Sequence, residues 1–187
     1  MLLKMKREAT QDDYEISEDV LIAQAAIMLQ GGYDTTAVTL TYTVYELAFD
    51  TERQEKLYQE LAEAKEKLVG KDLDATTLQD LRYLNCVFKE ILRLYPAMGW
   101  LDRVALKEYP VDDQLSIPAG TAVYVNAVGM HRSADYFPEP DAFRPERFLP
   151  ENEHNIIPYT YMPFGEGPRS CIGKRFAYNS MRQALAE

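Results

Sequence analysis

Cysteine and histidine are scarce in this chain, two of each among 187 residues, and the scarcity removes whole classes of architecture. Cys86 and Cys171 cannot build a disulfide framework, and neither His131 nor His154 stands at zinc-finger spacing from them. A reducing compartment or a cytosol-facing domain fits that usage. Cations are in deficit too: 20 Lys and Arg against 30 Asp and Glu leave a formal net charge of −10. That balance argues against a nucleic-acid surface, which needs clustered Lys and Arg to displace counterions from phosphates. No apolar run reaches the roughly 18 residues of a membrane span; the longest, residues 20–29, is interrupted by Gln24 and stopped at Gly31. Repeats, low-complexity tracts and linker-like stretches are also missing, which leaves one domain, or a piece of one. What is present is enough apolar material, 47% of residues, for a single core.

Ser17 followed by Glu18 and Asp19 has the form of an N-cap with acids in the first turn, where they suit the positive end of the helix dipole. The pattern then runs without proline to Phe49, roughly 30 residues and about 50 Å of helix at about 1.5 Å each. Its residues are mostly apolar, so the helix is expected to be buried. Thr51 with Gln54 forms a capping box, after which Leu57, Leu61, Ala64 and Leu68 line one face of an amphipathic helix that Gly70 ends. Leu84, Val87, Phe88, Ile91 and Leu94 predict a further helix, terminated at Pro96. The turn Pro118-Ala119-Gly120 introduces β-branched and aromatic alternation at 121–125, read as a strand of a small sheet. Over 137–168 prolines recur too often for either regular element, and helical character resumes after Gly173. The expected class is mainly α with a small β-sheet.

The chemistry is concentrated in Phe164-Gly165-Glu166-Gly167-Pro168-Arg169-Ser170-Cys171-Ile172-Gly173, a Gly- and Pro-rich loop that delivers one cysteine to the start of a helix. Glycines let backbone approach a flat cofactor, the free N–H groups of the helix start stabilise a thiolate, and Arg169 offers a fork for a carboxylate. A dinucleotide loop is excluded, because the third glycine of G-x-G-x-x-G would fall on Ser170 and no strand feeds the turn. Two further patterns are weaker alone. Glu90 and Arg93 share a helix face at i, i+3, a spacing usually met in surface ion pairs. Gly31 and Gly32, in Gly31-Gly32-Tyr33-Asp34-Thr35-Thr36, interrupt the long helix at about 1 kcal/mol each relative to alanine, which close packing would explain.

With these residues in place, the sequence resembles the haem-thiolate monooxygenases of the cytochrome P450 family. Every fixed position of the family signature F-x-x-G-x-R-x-C-x-G is matched. The resemblance implies haem b (iron protoporphyrin IX), with Cys171 as the metal ligand and Phe164, Gly165 and Gly173 beside the cofactor. Arg169 and Arg103 would meet the propionates; Arg103 is expected in the segment before the first strand. Glu90, Arg93 and Arg147, the last from Pro145-Glu146-Arg147-Phe148, would be structural locks. The resemblance makes room for dioxygen at Gly31 and Gly32, and it assigns proton and water handling to Asp34 and Thr35 as catalytic residues. Cys86 reads as plain packing among apolar neighbours. Tyr33, His131 and His154 receive no role.

The match runs from about Ile16 and has the texture of eukaryotic microsomal members, insect ones among them. Members are much longer. Residues 1–187 are therefore expected to form a single partial domain, the C-terminal portion, with the membrane anchor and most of the substrate pocket in a preceding part. The resemblance implies NADPH- and O2-dependent oxygenation of a small apolar substrate, with electrons from NADPH-cytochrome reductase and possible help from cytochrome b5. It also implies the cytosolic face of the endoplasmic reticulum membrane. The alternatives are a haem-thiolate isomerase or dehydratase that uses no O2, and an inactive fragment.

Overall fold

The computed structural model describes residues 17–68 and 72–187, so Gly70, the expected helix stop, and Ile16, near which the family resemblance begins, lie outside the described residues. Helix α1 spans Glu18–Phe49 and opens as expected, with the Ser17 hydroxyl accepting the Val20 N–H at 3.3 Å. Its expected burial does not hold. Only Thr39, Thr43 and Leu47 are buried, while Ile22, Ile27, Leu29 and Tyr33 stand open. The reason lies in its neighbours: among the described residues α1 is covered along one stripe, where Gly32, Thr39, Thr43 and Leu47 meet later helices. Thr35, Thr39 and Thr43 each donate a hydroxyl to the carbonyl four residues back, so these polar side chains are satisfied within the helix.

Helix α2, Thr51–Lys67, starts one residue earlier than the capping-box reading placed it. Asp50 is the N-cap and accepts the Arg53 N–H at 3.0 Å. The same carboxylate pairs with the Arg53 guanidinium, a gain that a threonine at the cap could not offer. Leu57 and Ala64 are buried on the expected face. A short helix that the sequence pattern did not announce, α3, spans Ala75–Asp80 and is capped by Asp74. Helix α4, Arg82–Leu94, has no cap of its own. Glu60 of α2 supplies one, its two carboxylate oxygens accepting the Tyr83 and Leu84 N–H groups at 2.8 Å each.

Ten residues of α4 are buried, and the core forms around them: Leu84, Val87, Phe88, Ile91 and Leu94 with Leu47, Leu57, Leu78 and Met181. Strand β1, Trp100–Val104, pairs antiparallel with β4, Ala122–Asn126, and a second small ladder joins β2, Tyr109–Pro110, to β3, Ser116–Ile117. The predicted turn before β4 is present, with Gly120 at φ +83°. Arg103 lies within β1, opposite Val123, rather than ahead of the first strand; the alternation that would reveal β1 is broken by Asp102 and Arg103. Helix α5, Ala127–His131, follows β4 directly. The chain then wanders through short 3-10 turns at Pro145–Phe148, Glu153–Asn155 and Gly167–Arg169, anchored by buried Phe137, Phe143, Phe148 and Met162. Helix α6, Lys174–Ala186, closes the fold. No helix among the described residues is long and apolar enough to cross a membrane.

Candidate functional site

The cysteine loop is shaped by backbone angles that favour glycine. Gly165 and Gly167 have φ of +68° and +76°, where a side chain would be strained. The Gly165 N–H donates to the Met162 carbonyl at 3.1 Å and the Cys171 N–H to the Phe164 carbonyl at 2.8 Å, which closes the loop on itself. Cys171 emerges exposed, two residues before Gly173, the N-cap of α6. A Cβ at Gly173 would lie 3.7 Å from the Cys171 sulfur, so glycine keeps the sulfur's surroundings open. Ile172, next in the chain, and Phe176, in the first turn of α6, are 85% and 65% exposed, an apolar rim at the start of that helix.

Helix α1 borders this rim. A Cβ on Gly32 would come within 3.5 Å of the Phe176 ring, while one on Gly31 would meet nothing within 4 Å. At about 100° per residue, Thr35 shares the face of Gly31, Asp34 lies about 60° from it, and Thr36 follows Gly32. The Thr35 hydroxyl donates to the Gly31 carbonyl at 2.7 Å, which leaves its oxygen free to accept. Asp34 and Tyr33 are exposed. The Thr36 hydroxyl is buried with no hydrogen-bond partner, a feature that reading the sequence missed. Strand β1 lies on another side of the loop, with Leu101 3.9 Å from a Cβ on Gly165. Arg103, two residues on, shares the face of Leu101. Its guanidinium is exposed and donates to the Asp102 carbonyl; Arg169 is exposed as well.

Behind the loop, Glu90 and Arg93 are fully buried and joined by two hydrogen bonds of 2.8 Å. Arg93 also donates to the carbonyls of His131, Pro140 and Ala142, so all five of its N–H groups are matched. Glu90 further accepts the Arg144 backbone N–H at 2.9 Å and the Arg147 Nε at 3.3 Å. Helix α4 is thereby tied to the end of α5 and to residues 140–147 of the meander. Glu146 binds from the same turn as Arg147 and accepts from Tyr83, Lys56 and Arg53. Burial alone would raise its carboxyl, but its own backbone N–H, those donors and the Arg53 charge hold it below the usual range. Sequence reading gave Glu146 no role, because nothing local marks contacts more than 60 residues away.

The two histidines differ. His154 is exposed on its 3-10 turn, whereas His131 is fully buried and burial pushes its imidazole down to about 4. Its Nε2 accepts the Met162 N–H at 2.9 Å, and its Nδ1 has no partner. Cys86 is buried, with its thiol pushed up to about 11 by burial, and so unsuited to act as a thiolate at neutral pH.

The family model described as Cytochrome P450 matches residues 1–187. The chain belongs to the cytochrome P450 family. It is 40% identical over 182 residues to Cytochrome P450 9c1 of Drosophila melanogaster, covering 95% of this chain and 35% of that one. It is 39% identical over 176 residues to Cytochrome P450 6j1 of Blattella germanica (94% and 35%) and 40% identical over 186 residues to Cytochrome P450 3A12 of Canis lupus familiaris (99% and 36%). The chain thus spans about a third of the length of these curated relatives. The P450 family's cofactor is haem, and the residues present fit it. They offer one exposed soft donor in Cys171, glycines in the loop that carries it, exposed apolar side chains at Ile172 and Phe176, and exposed guanidinium groups for carboxylates.

Proposed function

We propose that residues 1–187 form the C-terminal, haem-holding portion of a single larger domain, and that the whole protein is a monooxygenase inserting one oxygen atom of O2 into a small apolar molecule. The observation that carries this reading is the glycine-shaped loop that presents Cys171, exposed, beside the Gly31–Gly32 turn of α1. Cys171 would hold the iron of haem b through its thiolate, with Phe164, Gly165, Gly173, Gly31 and Gly32 beside the cofactor. Arg169 and Arg103 would pair with its carboxylates. Glu90, Arg93 and Arg147 would hold the loop-bearing meander on α4. The bound haem would supply dioxygen activation, with electrons from NADPH delivered by a cytochrome reductase and cytochrome b5 as a second donor. The resemblance to microsomal P450s supports a place on the cytosolic face of the endoplasmic reticulum.

The test uses haem-loaded full-length protein, reduced under carbon monoxide. The strongly red-shifted Soret band of thiolate ligation should be present in the parent, abolished by Cys171→Ala and retained by Cys86→Ala. The reverse pattern would overturn the assignment.

Asp34 and Thr35 would handle protons and water on the α1 side, since Thr35 keeps an acceptor free and Asp34 is the ionisable group nearest to it in the chain. Asp34→Asn should slow turnover by at least about tenfold, in keeping with removal of a general acid or base. Thr35→Ala should instead go on consuming NADPH while releasing more peroxide per product, and Thr35→Ser should restore coupling. Haem content should stay normal in all three. Parental rates and coupling throughout, or product formed without NADPH, would favour the isomerase reading.

A further inference from the structure

His131 sits where the buried ion pair meets the cysteine loop. Its backbone carbonyl accepts Arg93 Nη1 at 2.8 Å and its ring accepts the Met162 N–H at 2.9 Å. The Met162 carbonyl takes the Gly165 N–H, and the adjacent Phe164 carbonyl takes the Cys171 N–H. A line of hydrogen bonds thus runs from Glu90 through Arg93, His131 and Met162 into the loop that carries the thiol. A ring that accepts at Nε2 must, when neutral, carry its proton on Nδ1. That Nδ1 is buried without a partner. An apolar side chain would fill the same space between Phe137 and Tyr161 without leaving an orphan polar atom. The acceptor at Nε2 is what a filler could not provide.

Resting on the haem-thiolate reading of Cys171, we propose that His131 is a positioning residue of the cysteine site. As a neutral acceptor, its imidazole fixes the Met162 backbone and, through Gly165, the placement of the Cys171 sulfur. The side chain touches no reacting atom and acts only through the loop. His131→Phe keeps a ring of similar size without the acceptor, whereas His131→Gln carries an amide oxygen on a chain of similar reach.

In full-length haem-loaded protein, His131→Phe should speed amide exchange at Met162 and Gly165 by about tenfold, the factor that one lost hydrogen bond carries. Its red-shifted carbon monoxide band should decay to the unshifted form faster by a similar factor, and His131→Gln should bring both readouts back towards the parent. Parental exchange and band decay in His131→Phe would overturn the proposal, as would equal damage in both variants, which is the mark of packing alone. A parent with no thiolate band would refute the reading of Cys171 and the proposal with it; a normal parental band with an unaffected His131→Phe refutes His131 alone. Should His131→Phe fail to fold, imidazole nitrogen resonances of the unmutated protein decide. An unprotonated Nε2 and a protonated Nδ1 are expected, and the opposite tautomer would overturn the proposal.

Discussion

Replacing Arg93 with alanine should destabilise the full-length protein by about 3–5 kcal/mol, the cost of leaving a buried charge without its partner. The geometry explains why so large a figure applies to one side chain. Glu90 would lose both hydrogen bonds of 2.8 Å from Arg93 while staying fully buried, and would keep only the Arg144 N–H and the longer 3.3 Å contact of Arg147. The carbonyls of His131, Pro140 and Ala142 would lose their donor together, and a buried orphan acceptor costs roughly 1–3 kcal/mol. Domains are stable by only about 5–15 kcal/mol, so much of the margin would go. Urea unfolding of the full-length protein would read the loss, along with a fall in haem content, because the Pro140 and Ala142 carbonyls belong to the meander that leads to the cysteine loop. Arg93→Lys should recover only part, since an ammonium has three donors where the guanidinium uses five. Removing both charges, as in Glu90→Leu with Arg93→Met, should do better than Arg93→Ala and still fall short of the parent, because the three carbonyls and the Arg144 N–H would remain unpaired. Parental stability in Arg93→Ala would mean that the pair contributes nothing to the fold.

How much of this was legible in the sequence depends on the range of each interaction. Ser17 and the start of α1 were readable because an N-cap is a contact of three residues. The cysteine loop was readable because its glycines mark backbone angles that other residues avoid. The capping-box spacing points to Thr51 as the cap, and the pairing of Asp50 with Arg53, which moves the cap one residue earlier, is not part of that pattern. Glu90 and Arg93 could not be told from a surface pair by spacing; family resemblance, not periodicity, put them inside. Glu60, Glu146 and His131 were out of reach altogether, since their partners lie 23 or more residues away and no local pattern encodes the encounter. The error over α1 has a different cause. An apolar helix predicts that something covers it, but its sequence does not say what.

That open face sets the last expectation: the 187-residue chain made by itself should self-associate at micromolar concentration. Ile22, Ile27, Leu29, Tyr33 and Phe49 are each more than 60% exposed along one helix. Covering a large apolar side chain is worth about 1.5–3 kcal/mol, so five of them offer on the order of 10 kcal/mol to whatever contact forms. Micromolar association needs only about 8 kcal/mol. Ile172 and Phe176 add a second apolar rim at the cysteine loop. Ile22, Leu29 and Tyr33 fall within about 40° of one another around α1, and soluble monomers rarely leave a large apolar patch open. Size-exclusion chromatography with light scattering should therefore find oligomers or aggregates that bind a hydrophobic dye. Ile27→Lys with Leu29→Lys should reduce association of the isolated chain without touching α4 and its buried pair, because both side chains are more than 60% exposed and precede the stretch of α1 that holds its buried residues, Thr39, Thr43 and Leu47. A monomeric, sharply melting 187-residue product would show that these side chains find cover within the chain itself.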